Sequence, residues 1–232
     1  VSDDLYRQHA DTYAAASVTS PANAAYDRPA VLRLCGDLAG RRVLELGSAA
    51  GLLTEALADR GADVLGVDRE PRLVEIARER VGDRARIEVH DLHDPLDLVA
   101  DASVDVVVAS LVLHYLPDWA PLLAEVRRCL VPGGALVLSI HHPITGWRLS
   151  DGTDYHRVEL VEERWDLAGT PVTAQMWRRP VSAVFGSLRA AGFAIDVVDE
   201  PLPDPSADVD PRIRQILETA PVFLFVRAVR AG

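Results

Sequence analysis

Glu45, Gly47 and Gly51 stand within seven residues of one another, and Asp68 follows Gly47 by 21 positions. A glycine turn directly after a strand lets a ligand lie against bare backbone, where side chains would collide with it. An acid ending the next strand is placed to accept hydrogen bonds from ribose hydroxyls. Together they describe an adenosine site at the carboxyl ends of two neighbouring strands. The dinucleotide fingerprint needs glycine at 47, 49 and 52; Gly47 fits, but Ala49 and Leu52 do not. A nicotinamide-linked dehydrogenase is therefore the weakest reading of this turn.

Three histidines are candidates for proton transfer. His114 follows the fourth apolar segment, and His141 and His142 follow the fifth. A neutral imidazole, with an ordinary pKa of about 6.5, can take a proton from a phenol, alcohol or amine. The competing role is structural, above all for His142, which precedes Pro143. His9, His90, His93 and His156 read as surface or packing residues. Tyr6 and Tyr13, seven apart on a helical pattern, share one face. Trp147, Tyr155, Trp165, Met176 and Trp177 gather within residues 143–179, where they could stack on a planar acceptor or hold a hairpin in place. Arg178 reads as a solvated surface residue; Arg179 is open between surface and a substrate carboxylate or phosphate.

The elements that would position these residues alternate between strand and helix. Apolar, β-branched runs predict strands at 42–46, 63–68, 84–90, 105–110 and 135–140, with amphipathic helices at 52–60, 71–81 and 118–130. Right-handed crossovers would make these a parallel twisted sheet. A helix over 181–191 and strands at 193–198 and 222–229 would extend its far edge. The fold class expected is α/β: a doubly wound, mostly parallel seven-stranded sheet with helices on both faces. The chain reads as one domain over 1–232. It divides into an N-terminal helical lid (1–40), a cofactor-binding core (41–142), a substrate-side insertion (143–180) and a C-terminal sheet edge (181–232). The insertion is expected to be irregular apart from a small hairpin of 157–165 and 172–177, joined through 166–171.

In order and spacing these motifs resemble class I (Rossmann-like) S-adenosylmethionine-dependent methyltransferases, in particular a small-molecule subgroup. That family's first motif is an acid followed by glycines two, four and six positions on; Glu45, Gly47 and Gly51 match, and Ala49 replaces the middle glycine. The resemblance runs on through Leu130-Val131-Pro132-Gly133-Gly134 before the fifth strand and Ala191-Gly192-Phe193 near the end. It implies S-adenosyl-L-methionine as cofactor and S-adenosyl-L-homocysteine as product. It places Ser48 and Ala49 in the cofactor turn, Asp68 with neighbouring Arg69 at the ribose, and Asp91 and Leu92 at the adenine. Ser110 and Leu111 would lie beneath the sulfonium and Tyr13 near the amino-acid end. The implied function is methyl transfer to O, N or C of a small molecule, achieved mainly by orientation. Two alternatives stay open: an enzyme that keeps the cofactor but catalyses a rearrangement or cyclisation, and a non-catalytic binding module.

Composition narrows the partners. The net charge is −11 and all 24 basic residues are arginine, which argues against a broad phosphate-binding surface and hence a nucleic acid partner. The acidic start, Val1-Ser2-Asp3-Asp4, lacks the features of a signal peptide, and apolar runs are strand-sized. A cytoplasmic protein without membrane contact is the expectation; a homodimer is compatible with the sequence. Cys35 and Cys129 read as buried free thiols, and no metal-ligand spacing occurs.

Overall fold

The computed structural model describes residues 3–150, 152, 154–167 and 169–232. Among them, seven strands form one sheet: β1 (Arg42–Leu46), β2 (Asp63–Asp68), β3 (Arg86–Val89), β4 (Val104–Ser110), β5 (Leu130–His141), β8 (Phe193–Asp199) and β9 (Phe223–Arg230). Their order is β3-β2-β1-β4-β5-β9-β8, parallel throughout except for β9, which runs antiparallel to both its neighbours. This is the mostly parallel, seven-stranded sheet the sequence predicts.

Side-chain alternation along the central strands builds two cores. Leu44, Leu46, Val107, Ala109, Leu136 and Leu138 face α5 (Ala120–Cys129) and α7 (Val181–Ala190). Val43, Val106, Val108 and Val137 face α2 (Arg28–Cys35) and α3 (Leu52–Ala58). Strands covered on both sides have no solvated face, which is why 104–110 reads as nearly continuous β-branched sequence. α4 (Pro71–Val81) packs beside β2 and β3, starting at the proline and ending at Gly82 as its sequence signals indicate. The chain leaves β1 toward β2 and later returns to β4 on the other side of β1. That reversal opens a crevice at the carboxyl ends of β1 and β4.

Three departures from expectation have local causes. β6 (Glu159–Leu167) and β7 (Thr170–Arg178) pair as far as Leu167 opposite Thr170, so much of the expected 166–171 connector is strand. They form a separate two-stranded sheet, whose Val161, Val172, Ala174 and Met176 pack with Leu5, Tyr6 and Tyr13 of α1 (Asp3–Thr19). Two helices arise where no periodicity announces them, α6 (Pro143–Leu149) and α8 (Pro211–Thr219). Each is short and set by its start, with proline in the first turn and a side chain capping an amide. His142 Nδ1 accepts from Ile144 N at 3.1 Å, and Asp210 Oδ1 from Arg212 N at 2.8 Å. β5 begins at Leu130 rather than 135, because Leu130 pairs with Val104 before the register shifts. Among the described residues no helix is long and apolar enough to cross a membrane.

Candidate active site

A cavity of about 1170 Å³, measured to its open mouth, fills the crevice between the sheet, α1 and residues 22–28. Its floor is the turn after β1. Gly47 has φ +76°, and a Cβ there would fall 2.6 Å from Val112 Cγ2. Only glycine lets this backbone approach the loop after β4 so closely. Gly47 N and Ser48 N both donate to Val67 O, at 2.8 and 2.9 Å. Ala49 takes up φ +44°, a left-handed conformation that L-residues adopt at a cost of roughly 1–2 kcal/mol. It is held there by donating its N–H to Asp68 Oδ2 at 2.8 Å. Gly51, φ +78°, packs against Ala77 of α4 and does not line the cavity.

Acids surround this turn. Asp68 Oδ1 also accepts from Glu70 N at 2.9 Å, and burial raises the Asp68 pKa despite these amide donors. Glu45 is 1% exposed and accepts from Thr54 Oγ1 at 2.5 Å; burial pushes it up to about 7. Asp27 is equally enclosed. Ser110 Oγ donates to its Oδ2 at 2.5 Å, its Oδ1 has no hydrogen-bond partner, and burial pushes it up to about 6. Arg28 lines the same wall, its guanidinium pKa lowered by desolvation. At the other end Asp91 Oδ1 accepts from His93 N at 3.0 Å and lies 2.7 Å from His93 Nδ1. Burial raises Asp91, but these His93 contacts outweigh it and leave the carboxyl below its usual range.

Three phenols form the roof. Tyr6 and Tyr13 meet edge to face at 4.9 Å, as do Tyr6 and Tyr115 at 5.7 Å, and the hydroxyls of Tyr6 and Tyr115 are 2.5 Å apart. Burial keeps all three protonated, pushing Tyr13 to about 12. Below them Leu111 holds φ +48°, its N–H donating to Ser139 O at 3.0 Å.

A second, smaller cavity of about 300 Å³ lies beyond the turn over Leu113–Tyr115, lined by His114, Trp119, His141, Trp177 and Arg179 among others. Tyr115 therefore faces the first cavity while His114 faces the second. His114 is 3% exposed, both ring nitrogens lack partners, and burial holds its pKa well below the usual value. His141 stands 4.8 Å from the His114 ring, with its Nδ1 3.8 Å from a Glu163 carboxylate oxygen. Burial lowers its pKa and Glu163 partly restores it.

Of the residues singled out in the sequence, Tyr13, Glu45, Gly47, Ser48, Ala49, Asp68, Arg69, Asp91, Leu92, Ser110 and Leu111 line the first cavity. His114 and His141 line the second, and His142 lines neither. The His142 ring caps α6 through Nδ1 and meets Glu200 through Nε2 at 2.8 Å, so both nitrogens are engaged. Arg178 is not on the surface. It is 4% exposed, paired with Glu159, and donates to the carbonyls of Asp154, Tyr155 and Arg157. It clamps the segment before β6, whose carbonyls accept from a guanidinium that is itself buried and needs partners. The sequence reading missed Asn23 and Asp27, which reach the cavity from a π-helical turn at Ala22–Asp27, and Arg28, which opens α2 directly after it. A charged pair beside tyrosine in an alanine-rich stretch was the available signal.

The residues fit an adenosine with a cationic amino-acid arm: carboxylate oxygens at Asp68, a bare glycine turn, and at Asp27 a buried oxygen without a partner. Comparison with known proteins agrees. Residues 44–138 match the family model described as a methyltransferase domain. The chain is 39% identical over 106 residues to a ubiquinone biosynthesis O-methyltransferase of Xanthomonas oryzae pv. oryzae, covering 44% of each chain. It is 41% identical over 102 residues to magnesium-protoporphyrin O-methyltransferase of Rhodobacter capsulatus, covering 41% of this chain and 44% of that enzyme. The matches thus span less than half the length of these curated relatives. An S-adenosylmethionine-dependent methyltransferase from Mesorhizobium loti shares the fold, with a TM-score of 0.70 and 24% identity over 92% of this chain and all of that one.

Proposed function

We propose that the chain is a class I S-adenosylmethionine-dependent methyltransferase that methylates a small-molecule acceptor, with His141 as the general base. The observation carrying this reading is the cavity itself. At the switch point of the sheet it joins a glycine turn, the Asp68 carboxylate and the buried Asp27 and Glu45. Asp68 would hold the ribose, Asp91 and Leu92 the adenine, and Asp27 with Arg28 the charged amino-acid end. The bound cofactor supplies a methyl carbon on positively charged sulfur, already activated for attack.

The chain's own work is then alignment and exclusion of water. Alignment of reactants can contribute about 7–11 kcal/mol. Tyr6, Tyr13 and Tyr115 close the roof with neutral phenols, which suits a site where a cation reacts. Glu163 near His141 Nδ1 favours the tautomer with the proton on that nitrogen, so Nε2 takes the acceptor's proton. Incubation with methyl-labelled S-adenosylmethionine and a panel of phenol, alcohol, amine and carbon acceptors tests the reading by mass spectrometry. Label in the product with demethylated cofactor in equal amount is expected; product without it would favour rearrangement chemistry.

Two further outcomes follow from the site. Asp27 and Glu45 hold protons up to about pH 6 and 7, whereas a cationic ligand favours their ionised forms. Cofactor affinity should therefore fall as pH is lowered from about 8 to about 5. The unliganded protein follows the opposite sign. Its folded state retains protons that the unfolded chain, with ordinary carboxyl pKa values near 4, has lost, so this contribution to stability declines as pH rises from about 4 to 7. Thermal melts with and without S-adenosylhomocysteine at several pH values measure both, and Asp27→Asn should flatten each trend. Replacing Ala49 by glycine relieves a left-handed alanine but adds roughly 0.5–1 kcal/mol of unfolded-state entropy. The net effect on folding is within about 1 kcal/mol, and the residue 49 N–H still donates to Asp68 Oδ2, so cofactor affinity should stay within about twofold of the parent. A large loss in calorimetry would show that the Ala49 methyl contacts the ligand.

A further inference from the structure

Arg178 and Arg179 are adjacent, both buried, and treated differently by the fold. Arg178 has Glu159 and three carbonyls. Arg179, 5% exposed, donates from Nη2 to Leu116 O at 2.7 Å and lies 4.0 Å over the Trp119 ring, yet its Nε has no hydrogen-bond partner. Among the described residues it makes no ion pair; Asp118 acts on it only through space. Buried guanidinium groups normally pair with an anion, because desolvating the charge is otherwise unfavourable. The same small cavity holds His114 with two unpartnered ring nitrogens and His141, while Trp177 and Met176 supply apolar wall. Glu163, the acid near His141, is also engaged by the Trp165 indole at 2.9 Å.

We propose that this second cavity is an oxyanion subsite, in which Arg179 and His114 bind the carboxylate or phosphate group of an acidic methyl acceptor. The proposal rests on the methyltransferase reading and adds the substrate class to it. The cavity is small and largely enclosed, so at most the acid end of an acceptor enters it. The group's position is informative too. His114 and Tyr115 are consecutive, so an acid anchored at Arg179 lies next to the Tyr6–Tyr115 pair that bounds the cofactor cavity, with His141 beside it. Arg179 binds through its fixed planar donors, which match carboxylate and phosphate oxygens.

The test is a titration of isotope-labelled protein saturated with S-adenosylhomocysteine, at constant ionic strength, using sodium benzoate, inorganic phosphate and neutral benzamide. Signals of the Arg179 Nε–H and the His114 ring are followed by NMR. Saturable shifts with benzoate or with phosphate are expected, and which of the two saturates first identifies the acid. Benzamide should produce none. Arg179→Gln should weaken anion binding by about tenfold or more while S-adenosylhomocysteine affinity stays within about twofold. The proposal is overturned if neither anion saturates by about 50 mM, if benzamide binds as well as benzoate, or if Arg179→Gln binds the anion undiminished. The wild-type titration decides the matter if Arg179→Gln does not fold. Cofactor-product binding without anion binding removes only this inference; absence of both removes the methyltransferase reading as well.

Discussion

Asp68→Asn is expected to weaken S-adenosylmethionine binding by about 10²- to 10³-fold while moving the melting temperature of the unliganded protein by only a few degrees. Hydrogen bonds to a charged partner contribute about 1.5–3 kcal/mol each, and the resemblance places two ribose hydroxyls at this carboxylate. Losing most of both corresponds to about 3–4 kcal/mol, hence the fold-change. Stability follows a different sum. Asp68 accepts from the amides of Ala49 and Glu70, and asparagine keeps one acceptor oxygen for them. Burial already disfavours the charge at this position, so a neutral amide recovers part of what the lost bond gave. About 1 kcal/mol of net change would shift the melting point by about 2–4 °C in a chain of this size. Calorimetry on the folded variant beside its thermal melt separates the two. Parallel losses in both would make Asp68 a structural strand-end acid.

The second large effect belongs to His141. Removing a general base lowers kcat by about 10²- to 10⁴-fold, and His141→Gln should do so with cofactor affinity unchanged. His141 is half-buried among Phe223, His114 and Glu163, and desolvation lowers its pKa. The base is therefore already deprotonated at neutral pH, and the rate should fall only on acidification below the ordinary histidine range. Glu163 opposes that lowering, so Glu163→Gln should move the acidic limb to still lower pH. A merely structural Glu163 would change the rate without moving the limb. The steady-state measurement uses the acceptor found by labelled-methyl screening. A normal kcat in His141→Gln, with a large loss in a His114 variant, would reassign the base.

Local signals made the cofactor half of the site legible. β2 ends at Asp68 and α4 starts at Pro71 because an apolar run, an acid and a proline are each read over a few residues. The turn after β1 was recognisable because glycine at 47 is required by a backbone that approaches Val112. What stayed hidden depends on tertiary packing. Asp27 belongs to the site only because the turn before α2 lies over the end of β4, bringing its carboxyl to Ser110. The three histidines look equivalent as residues near strand ends, yet one caps α6, one has no partners and one faces Glu163. Side-chain direction at the end of a strand is set by its neighbours, and a single residue either way reverses it. Arg178 and Arg179 show the same limit: adjacent, identical in type, one clamped by carbonyls and the other without an anion. α6 and α8 escaped because two-turn helices carry too little periodicity, although a proline after a capping residue was present at both.

Isothermal titration with S-adenosylmethionine and with S-adenosylhomocysteine tests the central claim most directly, since both ligands must occupy the cavity bounded by Gly47, Asp68 and Asp27. Saturable one-to-one binding of both, tighter at pH 8 than at pH 5 (a contrast of about these two values) and strongly weakened by Asp68→Asn, is the predicted result. Absence of heat for either ligand at about millimolar concentration, in protein shown to be folded, would contradict it.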